Sequence, residues 1–316
     1  MNKTNTQKWK DDIAESVDYY NRWFLEFAPK AYLETRLRTT KKVENAFRLT
    51  NDLRNLTTDT LRNNPEILST LRMSTCPPLA RDRLINLANV PASFVKSLED
   101  GKLPARKNEP EIKEQLERIV QIILRLLDPI ITGWLTEKKI SHREARIRAT
   151  SVIADRLCGS EADPIIRNAQ EQRQLTLLEN WLQKRGYRKI DRQKYDSITD
   201  IPPGLFGIRY NVPVERQTAR PVQIPVDLIV RPLKKQTSRQ IVLIEAKSAG
   251  DYTNVNKRRK EEAQKMNQLK REYGDQINYL LFLCGYFDAG YLGYEASEGI
   301  DWVWEHRIDD LANIGL

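Results

Sequence analysis

Histidine and cysteine are scarce in this chain. Two histidines, His142 and His306, stand among 316 residues, which practically excludes a histidine-rich metal site and speaks against a Ser-His-Asp hydrolase. The three cysteines, Cys76, Cys158 and Cys284, are far apart and odd in number. That argues against a disulfide framework and fits a reducing cytosol. Long hydrophobic runs are lacking too. The opening "MNKTNTQKWKDD" is polar throughout, and stretches such as "IVQIILRLL" are broken by charge, so neither a signal peptide nor a membrane span is expected. Internal repeats and low-complexity tracts are absent. The expectation is a cytoplasmic protein.

What the chain does have is charge, at 30% of residues, beside 40% hydrophobic residues. That composition suits two domains, or one catalytic core with a helical elaboration. The net charge of +9 is unevenly placed. Residues 184–271 hold 21 Lys/Arg against 9 Asp/Glu, while 272–316 hold 1 against 9 and 1–183 hold 30 against 25. A polyanionic partner near 184–271 follows from this, with a solvated basic surface as the plainer alternative.

Residues 8–160 read as mostly helical, with apolar residues at helical spacing in "IAESVDYYNRWFLEFA", "VENAFRLTNDLRNL", "RDRLINLA" and "EIKEQLERIVQIILRLLDPIITGWL". Breaks are expected at "NNPEI", "TCPPLA", "NVPAS" and "EDGKLPARKNEP", with Pro and Gly confined to the joints. The aromatic residues Tyr19, Tyr20, Trp23, Phe24 and Phe27 read as core rather than as a base-stacking platform. From about 160 the texture changes. One long helix ends at Gly186, with Asp163 and Pro164 near its start. "VQIPVDLIVRPL" alternates as a strand, "RQIVLIEAK" is β-rich, and Ser248–Asp251 reads as a turn. A basic amphipathic helix over 255–273, a doubly buried strand "INYLLFLCG", a last strand "DWVWEHR" and a closing helix "IDDLANI" complete a mixed α/β layer.

An acid two residues before a lysine occurs at Asp100, Glu111, Glu137 and Glu245. Only Glu245-Ala246-Lys247 ends an apolar strand, and only it follows a strand with an inward-capable acid, Asp227 of "PVD". If the two strands pair, Asp227, Glu245 and Lys247 converge on one point. Buried carboxylates need an opposite charge, and two of them suit a hard divalent cation such as Mg²⁺. Asp227 and Glu245 would hold it, with the main-chain carbonyl of Ala246 completing the set. Lys247 would then orient a water or offset charge on a phosphate, as phosphodiester hydrolysis requires. The alternative is a structural ion pair at the sheet's edge.

"PVD…IEAK" resembles the PD-(D/E)xK nuclease signature, with Pro225-Val226-Asp227 slightly off the usual Pro-Asp pair. More narrowly, "RNAQEQRQ…LQKRGY", "PVDLIV", "IEAKSA…TNVNKR" and "WVWEHRIDDL" resemble the XamI-type family of type II restriction endonucleases, with "CPPLARDRLINLA" a weaker match. The resemblance implies a PD-(D/E)xK mixed sheet flanked by helices over 161–316. Before it lies an all-helical domain, 1–160, that embraces DNA or dimerises. It also implies an Mg²⁺-dependent enzyme, with Mn²⁺ able to substitute, acting as a homodimer on palindromic double-stranded DNA to leave 5′-phosphate ends. A cognate DNA methyltransferase is the expected companion, and a GTCGAC-like palindrome is the first site to try. Glu171 stands where many nucleases of this superfamily keep an extra metal-site acid. Lys257, Arg258, Arg259 and Lys260 can meet the phosphate backbone, and Asn254 and Asn256 can read adenine edges. A repair or junction-resolving nuclease, a non-catalytic DNA-binding protein and an RNA-cleaving toxin remain open alternatives.

Overall fold

Two long helices organise the chain: α1, Trp9–Leu49, and α7, Arg143–Lys184. Both differ from the sequence expectation. Pro29 lies inside α1 and Pro164 inside α7, whereas proline was expected only at joints, and α7 begins some twenty residues before Asp163. Helix propensity is a weak prior, and packing of the turns on either side of a proline can outweigh its missing N–H. The computed structural model describes residues 2–104, 108–135, 143–190, 195, 197–216, 219–233 and 240–316, excluding the side chains of 215–221 and 253–259. Within this range the chain divides into two compact units, 29–166 and 1–28 together with 167–316.

The unit 29–166 is helical. Besides its parts of α1 and α7 it contains α2 (Thr58–Asn63), α3 (Leu68–Met73), α4 (Arg81–Ala88), α5 (Ala92–Glu99) and α6 (Glu109–Leu126). The Thr57 hydroxyl accepts from the Thr60 N–H at the start of α2, and the Asn108 side chain accepts from the Glu111 N–H at the start of α6, satisfying donors that a helix start leaves open. Phe47, Leu61, Leu68, Leu84, Phe94, Leu116, Ile119 and Ile153 share one core. The same unit holds a buried ion pair, Arg72 to Glu99 at 2.6 Å.

The second unit is built on a six-stranded sheet in sequential order. Its strands are β1 (Arg188–Lys189), β2 (Leu205–Arg216), β3 (Ala219–Val230), β4 (Ile241–Ala249), β5 (Ile277–Gly285) and β6 (Asp301–Trp304). β2, β3 and β4 run antiparallel, whereas β1 is parallel to β2 and β4, β5 and β6 are mutually parallel. A parallel neighbour requires a crossover, and α8, Tyr252–Tyr273, provides it between β4 and β5. α9, Ala289–Ser297, connects β5 to β6. β4 reaches Ala249, so Ser248 is strand rather than turn; Asp288, N-cap of α9, was not foreseen as a helix start. "DWVWEHR" leaves the sheet after Trp304, and a 3₁₀ segment, Glu305–Ile314, follows.

Strand alternation sorts β4 onto two faces. Val242 and Ile244 join Leu178, Trp181, Phe282 and Val303 in the core under α7. Ile241 and Leu243 join Met266, Leu269, Leu281 and Trp302 in the core under α8. Continuing that second face along β4 leads to Glu245 and Lys247.

Candidate active site

Asp227 occupies a break in the sheet. The β3–β4 ladder runs from Val230 opposite Val242 to Leu228 opposite Ile244 and stops there. On the other flank, β2 and β3 pair at Ile208 with Leu228 and at Tyr210 with Val226, omitting Arg209, which faces Asp227 in register. Arg209 has φ +49°, a left-handed conformation that strains a residue with a Cβ and cannot continue a ladder. Where the β4 ladder bond should come next, the Asp227 side chain substitutes for it: Oδ2 accepts the Ala246 N–H at 2.8 Å. In a strand the N–H and C=O of one residue point to the same flank, so the Ala246 carbonyl opens on the side where Asp227 sits.

Glu245 and Lys247 project from the α8 face. The Lys247 ammonium lies 3.2 Å from Glu245 Oε1 and 2.9 Å from Glu262 Oε1. Lys265 binds the other Glu245 oxygen at 2.5 Å, and the Tyr279 hydroxyl donates to Glu262 Oε2 at 3.3 Å. Glu245 and Glu262 are 7% and 3% exposed, so these charges are set in low dielectric, where an unpaired ion is costly. Burial works against the charge on Lys247, but Glu245 and Glu262 outweigh it and hold its pKa above the ordinary lysine range. Asp227 goes the other way. Burial, then the nearby Glu245 charge, push its pKa up to about 6, while the Ala246 N–H and the lysines oppose them.

The structure therefore brings Asp227, Glu245 and Lys247 together, as the two strand motifs led one to expect. It adds Glu262 and Lys265, which sequence reasoning missed. A signal existed for one of them: Glu262 lies on the apolar stripe of α8 with Met266 and Leu269, a buried phase for a carboxylate. Glu171 does not join the cluster; its carboxylate pairs with Arg209 at 2.9 Å. Among the described residues no group of three or more His, Cys, Asp or Glu side chains is arranged to hold a metal ion. Asp227, Glu245 and the Ala246 carbonyl offer hard oxygens, a donor chemistry that would suit Mg²⁺ better than a soft metal. Lys260 is exposed. The side chains of Asn254, Asn256, Lys257, Arg258 and Arg259 lie outside the described residues.

On the opposite face of the sheet, α7 braces the same strand ends. The Gln174 amide donates to the carbonyls of Lys247 and Phe282, at 3.4 and 3.3 Å. The Gln170 amide bonds the Ser248 hydroxyl. Arg173 pairs with buried Glu305 at 3.0 Å and lies over Trp23, 4.7 Å from its ring centroid. Tyr20 is buried, whereas Phe24 is 38% exposed, so the aromatic stretch of α1 is only partly core.

No solved structure matches this chain. The chain is 47% identical over 315 residues, covering all of it and 99% of the relative, to the type II restriction enzyme SalI of Streptomyces albus G. The family model described as XamI restriction endonuclease matches residues 51–304, taking in both strand motifs and α8. On these grounds the chain belongs to the XamI restriction endonuclease family, enzymes that cleave DNA at specific sequences.

Proposed function

We propose that the chain is a PD-(D/E)xK enzyme that hydrolyses double-stranded DNA with Mg²⁺, at a palindromic site, leaving 5′-phosphate ends. The observation that carries this reading is the convergence of Asp227, Glu245 and Lys247 where β3 and β4 part. Asp227, Glu245 and the Ala246 carbonyl would hold the cation. When bound, it supplies Lewis-acid stabilisation of the phosphate and of a nucleophilic water. Lys247, kept charged by two carboxylates, orients the attacking water and offsets negative charge as it builds on the phosphoryl oxygens. The water oxygen bonds to phosphorus, the P–O3′ bond breaks, and a proton passes to the departing 3′ oxygen. Mn²⁺ satisfies the same oxygen donors and can substitute.

A palindromic target calls for a two-fold protein, so a homodimer is part of the proposal. So are the helical part of the chain as an arm on DNA and a companion methyltransferase. The test is digestion of sequenced, unmethylated phage DNA and a GTCGAC-containing duplex with Mg²⁺, beside Glu245→Ala and Lys247→Ala. Discrete fragments with 5′-phosphate ends are expected, with cleavage by either variant reduced by at least about 10³-fold. Cleavage that survives both substitutions would refute the site assignment. Salt-sensitive DNA binding without cleavage by the wild type would point to a binding protein instead.

A further inference from the structure

We infer that Lys265 is the resident counter-cation of the metal-free site: its ammonium occupies the Glu245 oxygen that a divalent cation needs, and it must withdraw when the cation enters. This rests on the proposed metal-binding reading of Asp227 and Glu245. Each of the two lysines holds a different Glu245 oxygen, Lys247 on Oε1 and Lys265 on Oε2. They are not equivalent. Lys247 has a second anchor in Glu262, which is buried and held in turn by Tyr279. For Lys265, Glu245 is the acidic partner the structure records; the two side chains are similarly exposed, 17% for Lys265 and 22% for Lys247, so the second carboxylate is what separates them. If Glu245 turns its oxygens to another cation, Lys247 keeps the Glu262 carboxylate, whereas Lys265 loses the recorded one and, being partly exposed, can turn to water.

Charge balance points the same way. Asp227, Glu245 and Glu262 face Lys247 and Lys265, which leaves one negative formal charge when all are ionised. A divalent cation arriving beside both lysines would turn that into one positive charge in a largely buried cluster. With Lys265 withdrawn, the cluster is neutral. Like charges crowded in low dielectric repel strongly, so cation entry and Lys265 departure are coupled. The position of Lys265 on α8, three residues after Glu262, makes this coupling local: both side chains come from adjacent turns of one helix over β4. Lys265 thus sets how tightly the site takes its cation and keeps Glu245 compensated until it arrives.

Mn²⁺ titrated into the full chain without DNA tests this, read by electron paramagnetic resonance of free Mn²⁺ and by thermal melting. Wild type is compared with Lys265→Met, Lys265→Gln and Glu245→Gln. Lys265→Met is expected to bind Mn²⁺ on the order of tenfold more tightly than wild type. It should also melt lower without metal, a deficit closed by saturating Mn²⁺ as the ion replaces the missing ammonium. Should Lys265→Met fail to fold alone, refolding on addition of Mn²⁺ supports the assignment. If it does not refold, and Lys265→Gln binds Mn²⁺ no more tightly than wild type, the assignment is overturned. Unchanged affinity in Lys265→Met, with binding abolished in Glu245→Gln, overturns the role of Lys265 and leaves the metal reading standing. Wild-type affinity in Glu245→Gln would remove the metal reading and this inference with it.

Discussion

Asp227 sits beside Glu245, whose charge raises the cost of ionising it. Its pKa is pushed up from 3.8 to about 6, first by burial and then by Glu245. A carboxyl whose pKa is higher folded than unfolded favours the folded state most when protonated. That stability is fully present below about pH 4 and is lost as pH rises through about 6. In EDTA, the melting temperature of the wild type should therefore carry a downward contribution between pH 4 and pH 6. Asp227→Asn keeps an acceptor for the Ala246 N–H and removes the charge. It is expected to flatten that contribution, to melt higher than wild type above pH 6, and to lose cleavage. Calorimetry across pH 4–8 in EDTA measures it, and an unaltered pH profile in the variant would show that Asp227 is not the group responsible. A stability gain coupled to lost activity is the mark of a site strained for function.

At the scale of elements, the core of the cluster was legible because strand alternation is short-range. "IVLIEAK" alone sets Glu245 and Lys247 on one face, and "PVDLIV" supplies a strand that carries an acid near their level. The extra partners come from a helix packed across the sheet. The apolar stripe of α8 marks Glu262 as buried, but no spacing says that Lys247 is its partner; the packing of Met266 and Leu269 in one core with residues of β4 and β5 decides it. The two long helices were misread for the opposite reason, since Pro29 and Pro164 are strong local signals that packing overrides. The ladder breaks on both flanks of Asp227 also left no signature, because Arg209 is an ordinary strand residue until its φ is seen. The contribution of α8 can be measured. Glu262→Gln removes one of the two carboxylates that fix Lys247 and should lower kcat by about 10–100-fold, with DNA affinity unchanged. A fall in kcat at unchanged DNA affinity is a split that general loss of packing would not cause. Glu262→Asp, which restores the charge, should recover part of the rate.

Across the whole molecule the two signs of charge have different fates. Much of the acidic excess of 272–316 is spent internally. Glu305 takes Arg173, Asp309 takes Trp181 and Arg185, Asp310 takes Arg307, and Glu295 is fully buried. The basic excess of 184–271 is spent less: Lys184, Arg188, Lys260, Lys270 and Arg271 are exposed. A net charge of +9 therefore understates the positive field available to a polyanion. Phosphate contacts release counterions, so log K falls with log salt at a slope of about −0.9 per contact on duplex DNA. Binding to a non-cognate duplex in EDTA, measured by fluorescence anisotropy across a salt series, should give a steep slope. Replacing Lys257, Arg258, Arg259 and Lys260 by alanine together should make it shallower by about 0.9 for each residue that meets a phosphate. The affinity lost should be the same on cognate and non-cognate DNA, because backbone contacts carry no sequence choice. An unchanged slope would return these four residues to the solvated face of α8. A loss confined to cognate DNA would make them readers of bases.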